Sequence, residues 1–94
     1  MFNIKMVENN VIMLSGRFDA AQEEKALRVL NTINESYVLD LKELNYISSA
    51  GLGVLLATQK RLNEAGHRLK LIKMNNHIRD IFRYAGFDMI FDIE

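Results

Sequence analysis

The chain has 94 residues, enough for one domain (residues 1–94) with a modest hydrophobic core. Apolar residues make up 49% and charged residues 26%, with neither cysteine nor proline, which excludes a disordered chain, a disulfide framework and thiolate chemistry. Basic and acidic residues balance at 12 each, so the concentrated basic footprint that nucleic-acid binding requires is missing.

No apolar run approaches the ~20 residues of a membrane span, and a cytoplasmic protein without membrane contact is expected. Phe2, Ile4 and Met6 alternate with polar residues, the pattern of a half-buried strand. Glu8-Asn9-Asn10 reads as a turn into a second strand, Val11-Ile12-Met13-Leu14, and so short a connection predicts an antiparallel hairpin. After Gly16-Arg17-Phe18-Asp19 the period changes: Ala26, Leu27, Leu30, Ile33 and Asn34 share one face at helical spacing. Asp19 is a candidate cap for that helix, because a carboxylate accepts from free N–H groups.

Tyr37-Val38-Leu39-Asp40-Leu41 is an almost continuous apolar run, as expected for a strand covered on both faces. Ser48-Ser49-Ala50-Gly51-Leu52-Gly53 then opens a second helix with Leu52, Leu55, Leu56 and Leu62 as its apolar stripe and Gly66 as its stop. Arg68 to Met74 alternates as a strand. Asn75-Asn76 offers a cap for a third helix with the stripe Ile78, Ile81, Phe82 and Ala85, ended by Gly86. Phe87 to Phe91 returns apolar residues to the core, with room for a last short strand. The order β-β-α-β-α-β-α predicts an α/β domain: a mixed sheet, antiparallel in its N-terminal hairpin and parallel later, packed with three to four helices.

The junction at Ser48-Ser49 stands out physically. It follows a buried strand and opens a helix, where partners and ligands of open α/β sheets tend to be met. Ser49 as N-cap would satisfy a free backbone N–H. Gly51 and Gly53 weaken a helix by up to ~1 kcal/mol each relative to alanine, which close approach of another backbone, internal or from a partner, would explain. A phosphate on Ser49 would add about −1.5 to −2 charge beside the positive end of the helix dipole. The residues alone leave two readings open: a cap with packing glycines, or a modifiable hydroxyl at an interface.

The segment VLDLKELNYISSAGLGVL resembles the signature of bacterial anti-sigma-factor antagonists of the STAS family. There an apolar strand ending in Asp-Leu leads through a short loop to Asp-Ser-Ser/Thr/Ala-Gly-Leu-Gly. Gly16-Arg17-Phe18-Asp19 is similar to the family's Gly-x-apolar-Asp, and Ile78 to Phe91 to its C-terminal helix and closing segment, so the resemblance spans essentially the whole chain. It implies phosphorylation at Ser49, the position of the motif's first serine, with Ser48 as second choice. Ser48 stands where most members have aspartate, a departure that removes a like charge from beside the phosphate. Partner contacts are implied at Asp19, Ser48, Ala50, Gly51, Leu52 and Gly53.

The implied function is a switch without catalysis or cofactor, a monomer or weak dimer. Unphosphorylated, it binds an anti-sigma factor or serine kinase of the histidine-kinase-like ATPase fold and is released by phosphorylation. A PP2C-type phosphatase resets it. The alternative is an unphosphorylated STAS scaffold subunit of a lipid-transport or signalling assembly. Other constellations are weaker: His67 and His77 have no metal-ligand spacing, and Ile47 occupies the place of the first glycine in Gly-x-Ser-x-Gly. Gly51-Leu52-Gly53 lacks the third glycine of a dinucleotide loop.

Overall fold

Strand β1 (Phe2–Val7) pairs antiparallel with β2 (Val11–Phe18), Phe2 opposite Gly16 and Val7 opposite Val11, in a computed structural model that describes residues 1–94. Asn9 and Asn10 turn the hairpin with φ of 61° and 59°, left-handed angles that asparagine tolerates better than most residues. β2 runs further than its apolar run suggests, because Gly16 carries it past the chain start. At φ 84°, a Cβ on Gly16 would lie 1.5 Å from the Met1 carbonyl, the same oxygen that accepts the Arg17 N–H at 3.0 Å.

A 3-10 turn (Ala20–Gln22) leads into α1 (Glu23–Leu30), followed by β3 (Tyr37–Ile47), α2 (Ser49–Glu64), β4 (Leu69–Ile72) and α3 (Asn76–Tyr84). A second 3-10 turn (Phe87–Met89) precedes the short strand β5 (Asp92–Ile93). The five strands lie side by side in chain order, and every pairing after the first is parallel. This is the mixed sheet with three α-helices that the alternation of patterns predicts.

Twenty-two apolar residues form one core. From the sheet it takes one face: Phe2 and Ile4 of β1, Ile12, Leu14 and Phe18 of β2, Leu39 and Leu41 of β3, and Leu71 of β4. The opposite face carries Val11, Met13, Val38 and Ile72, and none of these is fully buried. β3 is therefore fully covered on one face only; on the other, Val38 is half-buried and Asp40, opposite Met13 and Ile72, is the one buried residue.

Helix α1 stops one turn earlier than its stripe suggests. Arg61 of α2 donates to the Leu30 and Ile33 carbonyls at 2.8 and 3.0 Å, taking oxygens that another helical turn would have used. Ile33 reaches the core from the coil, and Asn34 is exposed. Five further apolar positions are not fully buried: Met6, Ala85, Met89 and Ile90 are exposed, and Leu56 is half-buried.

β4 pairs only with Tyr37–Asp40 of β3, whereas β2 accompanies β3 up to Ile47. The β2–β3 pair thus projects past the rest of the sheet. Asn75 tidies the bared edge: its Nδ2 donates to the Leu44 carbonyl at 3.1 Å while its Oδ1 caps α3 by accepting the Ile78 N–H at 2.9 Å. The projecting tip carries the start of α2.

Candidate functional site

At the tip, Arg17 stands opposite Tyr46 and Phe18 opposite Ile47. The Ser48 N–H donates to the Phe18 carbonyl at 2.9 Å, which prolongs the ladder by one step. Ser48 still has extended angles, φ −89° and ψ 174°, and its Oγ accepts the Gly51 N–H at 3.2 Å. Its carbonyl takes the first bond of the helix, from the Leu52 N–H at 2.9 Å. Ser48, not Ser49, is therefore the N-cap of α2. The reason is backbone geometry: Ser48 is held in the ladder, and Ser49 is the first residue with helical angles.

Capping matters for the chemistry of the pair. The Ser48 hydroxyl is half-buried and committed as an acceptor. Ser49 is exposed, and no atom of the chain bonds its Oγ. A free hydroxyl on the first turn of a 16-residue helix meets solvent beside N–H groups that the helix itself leaves without acceptors.

The two glycines have different causes. A Cβ on Gly51 would lie 2.8 Å from Ile47 Cγ1, 2.9 Å from the Phe18 carbonyl oxygen and 3.1 Å from Phe18 Cγ. Gly51 is needed so that α2 can seat on the ends of β2 and β3. A Cβ on Gly53 would meet nothing within 4 Å, so the fold gives no reason for glycine there. Leu52, expected at the partner surface, is only 7% exposed and belongs to the core. Gly51 is likewise buried, Ala50 is half-buried and Gly53 is exposed.

Asp19 does cap, but it caps the 3-10 turn ahead of α1: its Oδ1 accepts the Ala21 N–H at 3.2 Å. Its Oδ2 lies 4.0 Å from Arg17 Nε. The Arg17 guanidinium rests over the half-buried Tyr46 ring, 4.2 Å from its centroid. The structure thus gathers Asp19, Ser48, Ser49, Ala50 and Gly53 around the tip, with Tyr46, which the sequence places beside the serine loop, half-buried, and adds Arg17. The sequence does not single out Arg17, because its partner on β3 depends on two register shifts along the β2–β3 pair.

Elsewhere, His77 is exposed, and half-buried His67 places Nδ1 3.5 Å from Ser36 Oγ. No helix is long and apolar enough to cross a membrane.

A family model described as "Mlab, STAS domain" matches residues 5–92. The anti-sigma-B factor antagonist of Listeria monocytogenes is 30% identical over 87 residues, which is 88% of this chain and 76% of that protein. The putative anti-sigma factor antagonist BtrV of Bordetella bronchiseptica is 45% identical over 56 residues, 60% of this chain and about half (48%) of that protein. Among solved structures, an anti-sigma factor antagonist from Mycobacterium paratuberculosis gives a TM-score of 0.81 at 18% identity, covering 99% of this chain and 83% of that one. The phosphorylated form of SpoIIAA from Bacillus gives 0.70, also at 18% identity, covering 100% and 91%. At such identities the structural likeness is one of fold.

Proposed function

The chain belongs to the STAS domain family, and from that premise we propose that its projecting tip is a phosphorylation-controlled binding surface of the anti-sigma-factor-antagonist type. Anti-sigma-factor antagonists of this family are regulatory binding proteins, not enzymes. The observation that carries the proposal is the division of labour between the serines: Ser48 holds the helix, and Ser49 offers an unbonded hydroxyl to solvent.

In this reading residues 1–94 act as one STAS domain in the cytoplasm. The unmodified form binds an anti-sigma factor or a serine kinase of the histidine-kinase-like ATPase fold, and so acts on transcription. Asp19, Ser48, Ser49, Ala50 and Gly53 form the contact, while Gly51 and Leu52 shape it from within. The kinase transfers the γ-phosphoryl group of ATP to Ser49 Oγ, releasing ADP and the hydroxyl proton. The new dianion sits beside the positive helix end, so the fold tolerates it, but a surface fitted to a neutral hydroxyl no longer matches. A hundredfold loss of affinity needs only about 2.7 kcal/mol, within what one misplaced charge supplies. Hydrolysis by a PP2C-type phosphatase restores the binding form. An exposed, unbonded Ser49 supports this switch over the constitutive scaffold, which has no use for a free hydroxyl at that place.

The test is incubation of the protein with ATP and the kinases encoded near its gene, followed by phosphopeptide mass spectrometry. Modification at Ser49, abolished in Ser49→Ala, is expected. Phosphate on Ser48 would move the site by one residue, and no modification by any such kinase would overturn the switch.

A further inference from the structure

Four arginines donate to oxygens of the chain: Arg28 to Glu24, Arg61 to two carbonyls, Arg79 to the Glu94 carbonyl and Arg83 to Asp80. Arg17 does not. Its guanidinium is held in place by the face of Tyr46, and its nearest anion, Asp19 Oδ2, stands 4.0 Å from Nε, too far for a hydrogen bond. Arg68 also lacks a bond from its head group, but no ring holds it. Arg17 is thus a fork fixed in position with its donors open, although it is fitted for bidentate capture of an oxyanion.

Its location narrows the choice of anion. Arg17 precedes Phe18, and Ser49 follows Ser48; the Phe18 carbonyl and Ser48 N–H are joined at 2.9 Å. Each side chain is therefore one residue from an end of the same hydrogen bond. The ionisable groups on the segments meeting here are Arg17 and Asp19 at the end of β2, Tyr46 on β3, and Glu23 opening α1 behind the 3-10 turn. On the β1 side lie two more cations, the Met1 amino group, whose residue's carbonyl accepts the Arg17 N–H at 3.0 Å, and Lys25 of α1, whose Nζ donates to the Phe2 carbonyl at 2.9 Å. Of the three, Arg17 is the one beside the bond between Phe18 and Ser48.

We propose that Arg17 is the internal counter-ion of phosphorylated Ser49, turning its open fork from Asp19 to the phosphate while Tyr46 keeps it at the tip. This rests on Ser49 being the modified residue. The consequence is regulatory: the modified tip presents a phosphate already paired within the domain, and a cation on the unmodified surface is withdrawn as the anion appears. Partner release then has two causes, an added negative charge and a sequestered positive one.

The test uses full-length protein with phosphoserine encoded genetically at position 49, so it needs no kinase. The phosphate is titrated by phosphorus NMR. Arg17→Gln is expected to raise the second phosphate ionisation by about half a pH unit or more relative to the native sequence, since an opposite charge favours the dianion. Arg17→Lys should recover part of the shift, and Tyr46→Leu should lie between native and Arg17→Gln. Identical titrations in native and Arg17→Gln proteins would overturn the proposal. Arg17 is exposed, so Arg17→Gln should fold; should it not, Arg17→Lys and Tyr46→Leu carry the same comparison. Failure of the switch itself would show differently, as undiminished partner binding by the phosphoserine protein whatever its titration.

Discussion

Helices α2 and α3 both begin after a parallel strand, and they begin differently. At α3 a single Asn75 caps the first turn and also bonds the bared edge of β3 at Leu44, so its polar groups serve the fold. At α2 the work is divided: Ser48 caps, and Ser49 is left with nothing to do inside the chain. The same contrast separates Gly51, whose missing Cβ makes room for Phe18 and Ile47, from Gly53, whose missing Cβ makes room for nothing in the domain. Ser49 and Gly53, both in the first turns of α2, have no internal cause, and the proposed binding surface supplies one.

Substitutions can break this contrast, in descending order of effect. Gly51→Val forces a side chain against the Phe18 carbonyl and Ile47, and urea unfolding should show a loss of about 3 kcal/mol. Asn75→Ala removes a cap and a bond to a strand edge, for about 1–2 kcal/mol by the same measurement. Ser48→Ala removes the cap alone and should lose about 1 kcal/mol. Gly53→Ala should have the opposite sign, raising stability by up to about 1 kcal/mol while weakening partner binding in a pull-down. A stabilised protein that binds less well is what a glycine kept for a partner predicts. If Gly53→Ala binds as well as the native sequence, the contrast between the two glycines loses its functional meaning.

Much of this was legible in the residues. The order of elements, the mixed sheet, the Asn75 cap and the resemblance around Ser48 to Gly53 all follow from local pattern, because capping and periodicity are properties of neighbouring residues. What was not legible depends on distant ones. Lys42, Glu43 and Asn45 interrupt the apolar run of β3, yet the strand continues because β2 pairs with it through two register shifts. The early end of α1 is set by Arg61, 28 residues beyond Ile33. Ser48 and Ser49 are chemically alike, and only the bond from Ser48 N–H to Phe18 decides which of them starts the helix. The stack of Arg17 on Tyr46 needed that same register.

The central claim is that Ser49 is the residue through which this surface is switched. Its most direct measurement is calorimetric affinity for the cognate kinase or anti-sigma factor, comparing unmodified protein with protein carrying encoded phosphoserine at position 49, and Ser49→Ala as the control. Ser49→Ala should bind within a few-fold of native and unfold within about 0.5 kcal/mol of it, because the hydroxyl holds nothing together. The phosphoserine form should bind at least about a hundredfold more weakly, or about 2.7 kcal/mol. Equal affinity of the phosphorylated and unmodified forms would contradict the account.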